Sequence, residues 1–141
     1  MREISRLVVH CSASPDALDI GFKEIDEWHK ARHFNAPSGI HCGYHYIIRR
    51  SGVCEVGRMD FEVGAHVEGF NQDSIGVCLV GTHEFAPEQI STIKRVLDGL
   101  QGEYPNAKIY EHRQFPTATI QGKTCPNLSI SATLHVTLGT L

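Results

Sequence analysis

The stretch Ser74-Ile-Gly-Val-Cys-Leu-Val-Gly81 constrains the fold more than any other part of this chain. It is too short for a buried helix and apolar on both faces of an extended backbone. It therefore reads as a central strand of a sheet. A second apolar run, Leu7-Val8-Val9, reads as a buried strand that ends at His10. Ser12-Ala13-Ser14-Pro15-Asp16 then forms a loop, so the histidine stands at a strand end.

Helical and strand patterns alternate around these two runs. From Phe22 to Phe34 the spacing of Phe22, Ile25 and Trp28 predicts a helix with those residues on its apolar face. Tyr44 to Arg49 and Val53 to Val56 predict a hairpin around Arg50-Ser51-Gly52. Residues 57–73 read as loop. Pro87 opens a second helix, since its missing N–H has no helical partner there, and Ile90, Ile93, Val96, Leu97 and Leu100 form its stripe to about Gly102. Lys108-Ile109-Tyr110 is a short strand that delivers His112, and residues 113–124 read as loop. In the tail, Leu128, Ile130, Ala132, Leu134, Val136 and Leu138 alternate with polar residues, which predicts a half-buried strand. The 141 residues, without repeat or linker, predict one α/β domain over 1–141 with a central mixed sheet flanked by helices.

Composition excludes several classes of function. A formal net charge of -3 leaves no basic stripe for nucleic acid. No segment approaches the ~20 apolar residues that span a bilayer, so no membrane insertion is expected. The N-terminus lacks a signal-peptide pattern, which predicts a chain that is cytoplasmic as synthesised. The five cysteines include no CxxC pair and no even framework. Cys11, Cys54 and Cys78 read as small buried apolar residues, Cys42 is open, and Cys125 stands apart beside Lys123-Thr124 and Pro126.

A catalytic zinc site needs three protein ligands, drawn from His, Cys and carboxylates, and an open position for water. His10, His112 and Cys125 are candidates, with Lys123 and Tyr44 as candidate acid, base or oxyanion groups. Their spacing forms no metal motif, and HExxH is absent. Read from the residues alone, each histidine is more often a surface or structural side chain than a ligand.

Seven blocks, in order, carry a resemblance. They are Val8-Val9-His10-Cys11-Ser12-Ala13, Glu24 to Lys30, Gly43-Tyr44-His45-Tyr46-Ile47-Ile48, Val63-Gly64-Ala65-His66, Asn71 to Gly81, Glu111-His112-Arg113 and Lys123-Thr124-Cys125-Pro126. Together they resemble the zinc-dependent N-acetylmuramoyl-L-alanine amidases, above all the small phage lysozymes of that type. That fold is shared with animal peptidoglycan-recognition proteins.

The resemblance implies one Zn²⁺ per chain on His10, His112 and Cys125, catalytic roles for Tyr44 and Lys123, and groove positions for His66 and Asn71. The last two are equally turn-stabilising polar residues. Trp28 reads as core rather than sugar platform, and Glu24 as a solvated helix charge rather than a partner of a ligand histidine. The implied activity is hydrolysis of the amide between N-acetylmuramic acid and L-alanine, with peptidoglycan or muropeptide as partner. It would act on the wall after release or export, as an endolysin or prophage enzyme does; a cytoplasmic recycling enzyme or a toxin injected by a secretion system fits equally. The alternative is a non-catalytic peptidoglycan-binding module, against which Cys125 argues, because such relatives lose that cysteine. Related phage lysozymes also inhibit a polymerase, a role that no feature of this sequence predicts.

Overall fold

Five strands form one mixed sheet in the computed structural model, which describes residues 2–141. β1 (Arg6–Cys11), β2 (Tyr46–Ile48), β3 (Cys54–Val56), β4 (Ser74–Leu79) and β5 (Lys108–Glu111) lie in the order β3-β2-β4-β1-β5. β4 occupies the centre, as its composition requires, and all its residues are buried. It pairs in parallel with β1 on one side and β2 on the other, while β2 and β3 form the expected antiparallel hairpin. β5 adds in parallel to β1 and closes that edge.

Alternation along the strands sorts the core into two faces. Leu7, Val9, Ile48, Ile75, Val77, Leu79 and Ile109 face α2 (Pro87–Glu103) and pack with Ile93, Leu97 and Leu100. Each such side chain, fully buried, contributes about 1.5–3 kcal/mol. The opposite face carries Val8 and Tyr110, packed with Val67, Phe115 and Ala118. It also carries Ile47, packed with Ile25 of α1 (Phe22–Ala31), Cys42 and Val80. His10 follows Val8 by two residues, so it points to this second face, near the carboxyl end of β1. Clefts beyond the carboxyl ends of parallel strands are the usual ligand sites of such sheets.

The structure departs from the sequence reading in four places. The tail is no strand. Ile130–Leu134 forms a short helix, α4, whose Ser129 side chain accepts from the Ala132 N–H at 3.2 Å. His135 then takes the left-handed conformation, and Leu138 makes only an isolated bridge to Ile109. Residues 113–124 are partly helical: His112–Gln114 is a 3-10 turn and Pro116–Ile120 forms α3. Trp28 is 44% exposed and outside the core, because α1 buries Ile25 and His29 at i, i+4 spacing instead. Cys54 is exposed on the edge strand, whereas Cys11, Cys42 and Cys78 are buried. No helix among the described residues is long and apolar enough to cross a membrane.

Candidate metal centre

Three segments far apart in sequence converge at the carboxyl ends of β1 and β5. β1 supplies His10, the turn after β5 supplies His112, and the stretch between α3 and α4 supplies Cys125. One donor atom from each lies within 4.8 Å of the others. The two Nδ1 atoms of His10 and His112 stand 3.1 Å apart with their rings tilted by 51°. Zinc held at ~2.0–2.1 Å from nitrogen and ~2.3 Å from sulfur in a tetrahedron sets ligand atoms about 3.3–3.8 Å apart. The three side chains therefore fit such an ion with shifts of a few tenths of an ångström to about one ångström.

The electrostatics suit the same purpose. Burial pushes His10 well below its ordinary pKa, and the neighbouring His112, His66 and Lys123 add to that. Burial, then the Lys123 ammonium, brings His112 to about 4. Both rings are therefore neutral electron-pair donors at pH 7. Cys125 Sγ accepts the Cys11 backbone N–H at 2.8 Å, which favours a thiolate. Its hydrogen bond with the Cys11 thiol, together with burial, pushes it upward. A divalent cation reverses that balance, because a coordinating thiol is deprotonated outright.

His10 and His112 open onto a cleft of about 310 Å³. Tyr44 and Lys123 both line it. The Tyr44 ring lies 5.1 Å from that of His10. Burial pushes its phenol well above the ordinary value, with the sulfurs of Cys78, Cys125, Cys42 and Cys11 adding to the shift. Lys123 projects from an exposed stretch after α3 whose backbone N–H bonds the Ala118 carbonyl at 2.8 Å. His66 and Asn71 also border the cleft. Asn71 Oδ1 accepts from the backbone N–H groups of both His66 and Val67 at 2.9 Å, so it holds that loop in shape. Glu24 caps its own helix, accepting from the Gly21 N–H at 2.8 Å, and contacts no candidate ligand.

Other residues of the cleft escaped the sequence reading. His29 is buried to 7% exposure, and its Nδ1 accepts the Gly43 N–H at 2.8 Å, directly before Tyr44. Its signal was the i, i+4 relation to Ile25, obscured by the i, i+3 relation to Trp28. Arg32, Phe34, Glu68 and Gln121 also line the walls, and no periodicity marks these positions.

Comparison with known proteins fits this geometry. The family described as N-acetylmuramoyl-L-alanine amidase matches residues 1–128. The endolysin of Enterobacteria phage K11 is 39% identical over 137 residues, covering 92% of this chain and 84% of the relative. The N-acetylmuramoyl-L-alanine amidase LysC from Clostridium intestinale URNW shares the fold at a TM-score of 0.77 and 24% identity, over 96% of this chain and 88% of that one. Drosophila PGRP-LB shares it at a TM-score of 0.71 and 21% identity, over 89% and 76%.

Proposed function

The chain belongs to the N-acetylmuramoyl-L-alanine amidase family and hydrolyses the amide joining N-acetylmuramic acid to L-alanine in peptidoglycan; we propose that it does so with one zinc ion held by His10, His112 and Cys125. The observation supporting this reading is the convergence of those three donor atoms, within 4.8 Å of one another, with His10 and His112 on the wall of the cleft. Three protein ligands suit a catalytic ion, whereas structural zinc sites close their shell with four. Retention of the cysteine also favours catalysis over a module that only binds.

Zinc in an open site of this kind supplies Lewis acidity and brings a water's pKa to about 7. The chain's own residues do the rest. His10 and His112 stay neutral and so keep their lone pairs available. Lys123 offers an ammonium to the negative charge that grows on the attacked carbonyl oxygen. Tyr44, a protonated phenol beside His10, orients the attacking water or relays its proton to the leaving amine. The walls of the cleft hold the muropeptide and exclude bulk water. We also infer synthesis in the cytoplasm and action on the wall after release, in keeping with the relatives named endolysins.

Digestion of purified sacculi, with and without chelator, tests this reading. The expected products carry a new free amino group on L-alanine, seen by mass spectrometry, and vanish when metal is removed. New reducing sugar ends, or undiminished cleavage after complete zinc removal, would refute it.

A further inference from the structure

His66 borders the cleft, and its ring is held by neighbours within the fold. A Cβ at Gly76 of β4 would lie 2.7 Å from its Cγ, and one at Gly64 would lie 2.7 Å from its Cδ2. Two glycines thus open a slot that the imidazole fills. Its backbone is pinned by Asn71. Its ring stands edge-on to His10 at 85° with centroids 4.9 Å apart.

The hydrogen bonds at the two ring nitrogens form a directed chain. The Ser74 hydroxyl has one proton and two neighbours, the Phe70 carbonyl at 2.8 Å and His66 Nε2 at 3.1 Å. A carbonyl only accepts. Both contacts are therefore hydrogen bonds in a single arrangement: Ser74 donates to Phe70 and accepts from His66 Nε2–H. A neutral imidazole with its proton on Nε2 has a lone pair on Nδ1. That lone pair faces His10 Nε2 at 2.8 Å, so His10 carries its proton on Nε2. What remains on His10 is the bare Nδ1, aimed at the point it shares with His112 and Cys125.

We propose that His66 is a positioning residue, which together with Ser74 holds His10 in the tautomer and orientation that present Nδ1 to the metal. The inference rests on the reading of His10 as a zinc ligand. It assigns His66 to the support of the metal site rather than to the grip on substrate. Histidine ligands commonly donate their second N–H to a fixed acceptor, usually a carboxylate, a carbonyl or water, and loss of the partner typically costs 10–100-fold in metal affinity or activity. Here a neutral imidazole takes that place.

The test compares full-length wild type with His66→Leu, His66→Asn and Ser74→Ala. Leucine fills the slot but removes the acceptor, and asparagine restores an acceptor close to the Nδ1 position. Ser74 is fully buried and does not line the cleft; its hydroxyl touches the Phe70 carbonyl and His66, so its loss reaches the metal site through His66. Zinc affinity is measured by competition with a chromophoric chelator. The visible spectrum of the Co²⁺-loaded proteins reports ligand geometry, and folding in chelator is checked by circular dichroism. His66→Leu is expected to weaken zinc by about 10–100-fold. His66→Asn should regain most of that affinity, and Ser74→Ala should weaken zinc by a smaller factor. KM for muropeptide should stay at the wild-type value in zinc-saturated Ser74→Ala, whose side chain does not line the cleft. If His66→Leu does not fold, the Ser74→Ala result decides. Unchanged zinc affinity in the variants, or a raised KM at unchanged affinity, would overturn the inference alone. Wild-type protein that takes up no zinc would overturn it together with the metal reading.

Discussion

The Lys123 ammonium acts on both candidate histidine ligands, lowering the proton affinity of His10 and of His112. It also lines the cleft without belonging to the donor set. Substitution should therefore separate chemistry from metal binding. Lys123→Ala is expected to keep one zinc per chain and to lose about 10²–10³ in kcat, the usual cost of one oxyanion-stabilising donor. Zinc content by atomic emission and turnover on a soluble muropeptide would check this, and normal turnover would remove Lys123 from the mechanism. At this scale the sequence was legible only through whole blocks of resemblance. His10 and His112 are 102 positions apart, so no local spacing could couple them. His29 and Trp28 show the opposite weakness. Both fit a helical stripe, and only packing against Gly43 and Tyr44 decides which one is buried.

Among the elements, the long apolar ones matched their patterns closely. β4 is central, and α2 starts at Pro87. The tail misled because Ile130 and Leu134 satisfy two templates at once, alternate positions of a strand and i, i+4 on a helix. Ser129 as N-cap was the discriminating signal.

What holds α4 in place is a buried carboxylate. Glu111, 5% exposed, accepts two bonds from Arg113 at 3.1 Å and one from the Ile130 N–H at 2.8 Å. Arg113 in turn reaches the Leu128 carbonyl with its side chain and the Cys125 carbonyl with its backbone N–H. The pair thus ties the end of β5, the Cys125 stretch and the start of α4 together. Glu111→Ala leaves the Ile130 N–H unpartnered and the guanidinium with the Leu128 carbonyl alone. It should cost about 2–3 kcal/mol in urea unfolding of the metal-free protein. A loss below 0.5 kcal/mol, the range of an ordinary surface change, would show that α4 docks through Ile130 and Leu134 alone.

For the molecule as a whole, the unusual quantity is its nine histidines, several of which are neutral inside the fold. His45 and His29 are the cleanest cases outside the donor set, and burial brings each to about 4. Each uses Nδ1 as an acceptor, His45 for the Gly76 N–H at 3.1 Å and His29 for the Gly43 N–H at 2.8 Å. A proton at Nδ1 would set two donors face to face, so the native state excludes it. The unfolded chain takes that proton near pH 6.5. Between pH 6.5 and about 4 the unfolded state therefore holds more protons, and native stability falls as pH falls. The contribution is complete above pH 6.5. It is lost at up to about 1.4 kcal/mol per pH unit for each histidine on the way down. His10, His66 and His112 shift in the same direction and steepen the decline. Urea unfolding of metal-free protein should give a lower midpoint at pH 4.5 than at pH 7.5. In His45→Asn the slope between those pH values should be shallower by up to one proton. A wild-type midpoint that does not move across this window would mean that the interior accommodates imidazolium, contrary to the hydrogen bonds that Gly43 and Gly76 make to these rings.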